Sequence, residues 1–416
     1  MVTRQKTRLQ ELYRDFPRPF WTLTGVTFID QVGGALLYPF FALYFTNRFG
    51  VGMTAVGALF ALYAVSSMAG QLIGGAISDR FGRRSMLTFS LITTSTSALL
   101  IGVAESLVVV YVLVLMVGLL AETGQPARQA IVADLLPEEK RAEGYAVMRV
   151  VFNLAVAIGP AIGGLVVSHS YLALFVTDAI ISLMAALIVW WALPETKPAD
   201  VESEGERGDS SELGGYGTVL RDRPFILFLC AGMLISLVGM NLFTTLGVYL
   251  RGAYGVPERS YGLLLSMNAL LVVAFQIPIG RRVERYPPMI AMAVGSVIYG
   301  FGFGMFAFVK TSFLFIAAMV VLTLGQMVIG PVSQSLVARF APEDMRGRYM
   351  AIYGISWAAP MAFGPLLAGL VMDNSDPRLL YWISGLLGLL AAAAYVGLHI
   401  QMREEPAVVL AEASDQ

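Results

Sequence analysis

Charge is scarce in this chain. Only 14% of its 416 residues are Asp, Glu, Lys or Arg, against about 25% in an ordinary soluble domain. Cysteine is scarcer still. Cys230 stands alone, which excludes an intrachain disulfide and a structural cysteine–zinc cluster. The two histidines, His169 and His399, are too few and too far apart for a metal or catalytic cluster. No enzyme motif emerges, and no metal site or cofactor is expected. The formal net charge of −1 singles out no partner, and no nucleic-acid partner is expected.

Long apolar runs take the place of charge. Residues of hydrophobic type make up 57% of the chain, and the mean hydropathy is +0.70. The charges gather in short islands between runs of about twenty apolar residues, enough to cross roughly 30 Å of hydrocarbon as helix. Twelve spans are expected, near 20–44, 53–77, 85–104, 107–131, 143–167, 171–193, 224–249, 260–280, 287–308, 311–336, 347–371 and 379–400. Helices are required because an isolated strand in lipid leaves its backbone groups unpaired, and barrel strands would be shorter and would alternate apolar with polar residues. The basic start, MVTRQKTRLQELYRDFPRPF, has no small-residue cleavage pattern and reads as a cytosolic tail before a retained helix. The lipid bilayer is thus the first partner.

Orientation follows from the bases. With both termini cytosolic, 21 of the 28 Lys and Arg lie on the cytosolic side and five on the other: Arg48, Arg251, Arg259, Lys310 and Arg378. Arg128 and Arg149 fall inside spans. This is the positive-inside pattern of a multi-pass cell-membrane protein.

The chain repeats itself at an offset of 205 residues. Gly75 falls on Gly280, Asp79-Arg80 on Glu284-Arg285, Pro126 on Pro331, Gly159-Pro160 on Gly364-Pro365, and Gly164 on Gly369. Six spans return the chain to its starting side. The expected fold is therefore all-α, with two six-helix bundles, 1–193 and 224–416, related by a pseudo-two-fold along the membrane normal. Residues 194–223 are polar and rich in Gly and Ser, and read as a cytosolic linker.

The stretch GGAISDRFGRR at 74–84 is expected to be the cytosolic turn between spans two and three, with a weaker echo at 280–286. Either it is an ordinary positive-inside turn, or it is a latch that closes the cytosolic face in one conformation. Its presence in both halves favours the latch. The candidate gating residues are Gly75, Asp79, Arg80, Gly82, Arg83, Asp134, Glu284 and Arg285.

GAISDRFGRR at 75–84 resembles the signature loop of the major facilitator superfamily. Pro137-Glu138 with Arg141 resembles its loop between helices four and five. NLAVAIGPAIGG at 153–164 is similar to the helix-five motif of its proton-coupled drug exporters, and Pro194-Glu195-Thr196 to its usual end of helix six. The chain is most like the twelve-helix multidrug–proton antiporters. That resemblance implies alternating access by a rocking motion. One departure stands out: those exporters often carry an Arg in helix four, and the matching position here is Val114.

Acids inside spans are costly and therefore informative. Asp30 lies near the middle of span one and Glu122 in span four; either can bind a proton on one side and release it on the other, and a cationic substrate can compete for the same charge. The structural alternative is a neutral acid hydrogen-bonded to a neighbouring helix. Arg149 is the candidate partner for an interior acid; Asp178, nearer the outside, is read first as a packing or capping group and second as a coupling residue. At the matching places the second half has Ile235 and Met327, so proton handling is expected in the first half. Tyr38, Asn153, Asn241, Asn268, Gln276, Met327 and Trp357 are candidates to line a cavity. Gly159, Pro160, Gly164, Gly364, Pro365 and Gly369 are expected to pack helices five and eleven closely.

The function expected is secondary active transport of hydrophobic or cationic small molecules out of the cell in exchange for protons, by a protein working as a monomer. The alternative is a proton-coupled carrier of a metabolite or lipid on the same scaffold. A cysteine placed at Gly82 or Ser210 should react with impermeant maleimide only from the cytosol, and one at Ser168 only from outside. Labelling of Ser210→Cys in intact cells would overturn the orientation.

Overall fold

The computed structural model describes residues 15–196, 214–342 and 345–414, and among them there is no strand. Among the described residues twelve helices are long and apolar enough to cross a membrane: Arg18–Phe49, Met53–Gly75, Arg83–Val103, Leu107–Leu135, Glu138–Val167, Tyr171–Ala192, Arg223–Thr244, Glu258–Val283, Pro288–Met305, Ser312–Val337, Arg348–Asn374 and Arg378–Met402. They are numbered here as spans one to twelve. Large apolar side chains such as Leu72, Val108, Trp191 and Phe313 stand exposed along them, as a lipid-facing surface requires. The all-α, twelve-span fold is the one expected.

Two boundaries differ from expectation. The helix of span two runs on to Phe81, so most of GGAISDRFGRR is helical. The turn shrinks to Gly82, whose φ of 93° suits glycine, and span three begins at Arg83. Span four is interrupted: one helix ends at Ala121 and another begins at Gly124. Pro126 has no N–H to offer the Glu122 carbonyl four residues back and would clash with it. The Gln125 N–H serves that carbonyl instead, at 3.2 Å. Ser90 Oγ bonds the Ala121 carbonyl from span three, and Thr123 Oγ1 the Leu120 carbonyl at 2.6 Å. The break is thus satisfied by side chains, as a dry environment demands.

The described residues gather into two compact units. The first holds residues up to Phe49, Leu62–Glu202 and Val256–Ser266; the second holds Gly50–Ala61, Ser203–Gly255 and Met267 onward. Each unit therefore takes in the first turns of a span that mostly belongs to the other: span eight in the first unit, span two in the second.

In the first unit, Phe16, Phe20, Leu23, Val26, Leu87, Leu91, Ile131, Val189 and Leu193 form a buried cluster from spans one, three, four and six. Span five closes on span eight, where Gly262 faces the Pro160 carbonyl and Gly164 faces Glu258 and Arg259. The second unit repeats that crossing at the same offset. There Gly57 faces Pro365 and Leu366 while Gly369 faces Met53 and Thr54. In lipid, where apolar burial gains little, such backbone proximity is what draws helices together. The second crossing also carries a cap. Asp373 accepts hydrogen bonds from the Met53 and Thr54 amides at 2.8 and 2.7 Å, and a side chain on Gly52 would collide with that carboxylate.

Enlarging either crossing should cost stability. Gly57→Leu and Gly262→Leu should each lower the unfolding free energy by about 2 kcal/mol through overpacking, whereas Gly34→Ala, where a methyl meets nothing within 4 Å, should be neutral or mildly stabilising. Thermal unfolding in detergent checks both.

Candidate functional site

The ionisable groups of the first unit form two adjoining clusters across spans one, two and four. The interruption of span four leaves Glu122 as the residue that ends its first segment. Its carboxylate accepts a hydrogen bond from the Tyr63 hydroxyl at 2.6 Å and one from Gln71 Nε2 at 3.2 Å. Tyr63 and Gln71 lie eight residues apart, two turns along span two, so both reach the same acid. The second helix of span four then carries Arg128, whose guanidinium bonds Asp30 Oδ2 of span one at 2.7 Å. The side chains of that pair are 12% and 14% exposed. Screening by water is weak there, and each charge needs the other.

Other candidates fall differently. The partner of Asp30 is Arg128, not Arg149, which stands exposed on span five beside exposed Asn153. Asp178 is buried on span six, with Oδ1 lacking a hydrogen-bond partner. Tyr38 is half-buried in a 3-10 turn that interrupts span one. In the second unit the polar side chains are spent on one another. Asn268 donates to Thr323 Oγ1 at 2.7 Å and to Gln326 at 3.1 Å, and Gln276 to the Met327 carbonyl at 3.0 Å. Asn241 is buried and bonded to Ser384 at 3.3 Å. Met327 is buried, and Trp357, half exposed, donates to Tyr353 at 3.3 Å. Offset by 205, Asn268 and Gln276 match Tyr63 and Gln71, so both units link the same two helices by side chains at the same places. The first unit does it around an acid, the second with neutral groups alone.

Where span three begins, Arg83 pairs with Asp134 and bonds the Ala130 carbonyl at 3.4 Å. Glu195, just past span six, accepts the Arg83 and Arg84 amides at 2.7 and 3.3 Å. It caps span three, where anionic groups are favoured. A side chain on Gly82 would meet that carboxylate. Arg84 lies over the Trp190 ring at 5.0 Å, Gly75 is half-buried and Arg80 is exposed. The Asp79 side chain lies outside the described residues. In the second half, Glu284 and Arg285 are exposed, with no side-chain hydrogen bond or ion pair among the described residues. The packing glycines Gly159, Gly164, Gly364 and Gly369 and the prolines Pro160 and Pro365 are all buried.

Three residues escaped the sequence reading in these roles: Arg128 as the counter-ion of Asp30, Tyr63 as a donor to Glu122, and Glu195 as a cap. A signal existed for Arg128, a base inside a span.

The helical topology, the internal repeat and these interior charges define a multi-pass membrane transporter. The Major Facilitator Superfamily model matches residues 23–257 and 228–414, and the chain belongs to that family. Among similar proteins is the Na(+), Li(+), K(+)/H(+) antiporter of Planococcus maritimus, 29% identical over 80% of this chain and 84% of that protein. The class B tetracycline resistance protein of Escherichia coli is 25% identical over 86% and 89%. The multidrug resistance protein MdtH of Yersinia enterocolitica is 23% identical over 90% and 92%. Of solved structures, the nucleoside transporter NupG superposes with a TM-score of 0.76 at 12% identity, covering 92% of this chain and 100% of that one. At that identity it shares the fold alone.

Arg128→Ala should destabilise the protein by about 3 kcal/mol, because it strands a nearly buried carboxylate. Arg128→Ala with Asp30→Asn should recover most of the loss. Equal unfolding midpoints for the single and double variants would contradict the pairing.

Proposed function

We propose that the protein exports hydrophobic or cationic small molecules in exchange for protons by alternating access. The observation that carries this reading is the Asp30–Arg128 pair beside Glu122 inside the spans of the first unit. Neutral scaffolding needs no such charges, and holding them in a membrane is costly. A cation that competes with Arg128 for Asp30, or a proton that neutralises it, changes which groups are paired. That is the elementary requirement for coupling two fluxes. A neutral metabolite or lipid would not compete with Arg128 for Asp30, and would give the pair no part in coupling. The relatives named as antiporter and as multidrug and tetracycline resistance proteins support proton-linked export. A second reading, alkali-cation exchange for protons, is favoured by the name of the Planococcus maritimus relative.

Purified protein in liposomes with a pH gradient tests both. Gradient-driven accumulation of a hydrophobic cation should fall at least tenfold with Asp30→Asn, while downhill movement of a neutral dye survives. Glu122→Gln should shift the preference among cations more than the driven rate. Driven potassium or sodium flux without driven organic-cation flux would select the second reading. Unchanged proton-coupled flux in both variants would sink proton exchange through these acids.

A further inference from the structure

Asp178 is the interior acid that the export reading leaves unused. Only 3% exposed, it lies where span six crosses span one so closely that a methyl group on Gly33 would overlap its Oδ1 and press on Ile181. That Oδ1 has no hydrogen-bond partner, and neither do two more buried hydroxyls, Thr27 Oγ1 on span one and Ser182 Oγ one turn beyond Asp178.

The spans packed against span six bring no counter-ion. Span one contributes Asp30, whose charge acts on Asp178 and which is already held by Arg128 at 2.7 Å. Span three contributes Ser95, spent on the Ala179 carbonyl at 2.7 Å. Its bases Arg83 and Arg84 stand at its start, engaged by Asp134 and Trp190. Span five carries Glu138, Glu139, Lys140, Arg141 and Glu143 in its first two turns and the exposed Arg149, and no acid or base from 150 to 167. An ionised Asp178 would therefore have neither donor nor cation, one of the least tolerable arrangements in a membrane. A bound metal cation needs a shell of several oxygens, about six for the hard cations. Span six is an unbroken helix from Tyr171 to Ala192, so its carbonyls are spent. A proton is the cation that this site fits.

We propose that Asp178 binds a proton, and that this proton leaves when a monovalent cation takes a place beside Asp30. The inference rests on the export reading and assigns its proton site. In the resting arrangement Asp30 is ionised and paired with Arg128, Asp178 is a neutral acid, and the three groups sum to zero. A cation at Asp30 competes with Arg128 and brings one positive charge. Asp178 then gives its proton to water and its carboxylate balances the newcomer, so the sum is zero again. One proton exchanges for one monovalent charge, and no net charge is stored in the low-dielectric interior.

Two equilibrium measurements on purified protein in lipid test this without a gradient. Infrared spectroscopy should show a protonated-carboxyl band that persists in Asp30→Asn and disappears in Asp178→Asn. In weak buffer with a pH dye, tetraphenylphosphonium should release about one proton per cation bound by the wild type. Asp178→Asn, which mimics the neutral acid, should release none and, by linkage, bind at least about tenfold more weakly than wild type. Asp178→Ser serves as a second neutral variant should the first fail to fold. An undiminished band, or undiminished proton release, in either neutral variant overturns the assignment, as does wild-type binding without release. Failure of the export reading is read separately, as absent gradient-driven flux in wild-type liposomes.

Discussion

A bilayer core offers neither water nor counter-ions, so every polar group in a span must find its partner within the protein. That one constraint organises the structure. It explains why Asp30 and Arg128 are joined at 2.7 Å and why Glu122 gathers Tyr63 and Gln71. It also explains why the carbonyls freed where Pro126 interrupts span four are taken up by Ser90 and Thr123. The same rule makes Asp178 conspicuous, since it is buried and its Oδ1 is unanswered.

With solvent largely absent from helix association, backbone proximity does the work of a core. The crossings of span five with span eight and of span two with span eleven are the same contact, repeated 205 residues along. Gly262 meets Pro160 in one, and Gly57 meets Pro365 in the other. Chemistry has diverged where geometry has not. The first unit kept acids at positions where the second has Ile235 and Met327, both buried.

The turn between spans two and three shows how a charge island becomes a joint. Gly82 supplies the one backbone conformation that side-chain-bearing residues avoid, letting two long helices meet with a single residue between them. Glu195 caps the second of these helices and Arg83 ties it to the end of span four. Both ties are charge-assisted, and so among the stronger hydrogen bonds a protein makes.

Much of this was legible in the sequence. Run length and scarcity of charge define twelve helices because hydrocarbon thickness sets a length and excludes other backbone geometries. Asp30 and Glu122 stand out because acids are rare in apolar runs. The packing glycines of spans five and eleven stand out through the repeat, but the spans they face do not. Pairing was not legible. Asp30 and Arg128 are 98 residues apart, Tyr63 and Glu122 are 59 apart, and Glu195 reaches back 112 residues to Arg83. Hydropathy records only whether a residue suits lipid; which charges meet depends on how each helix is rotated and which neighbour it faces. The sequence by itself determined the spans, their repeat and the acids that had to be answered. The tertiary structure decided what answers them, because a salt bridge a few ångströms long is set by the rotation of packed helices, which no local pattern encodes.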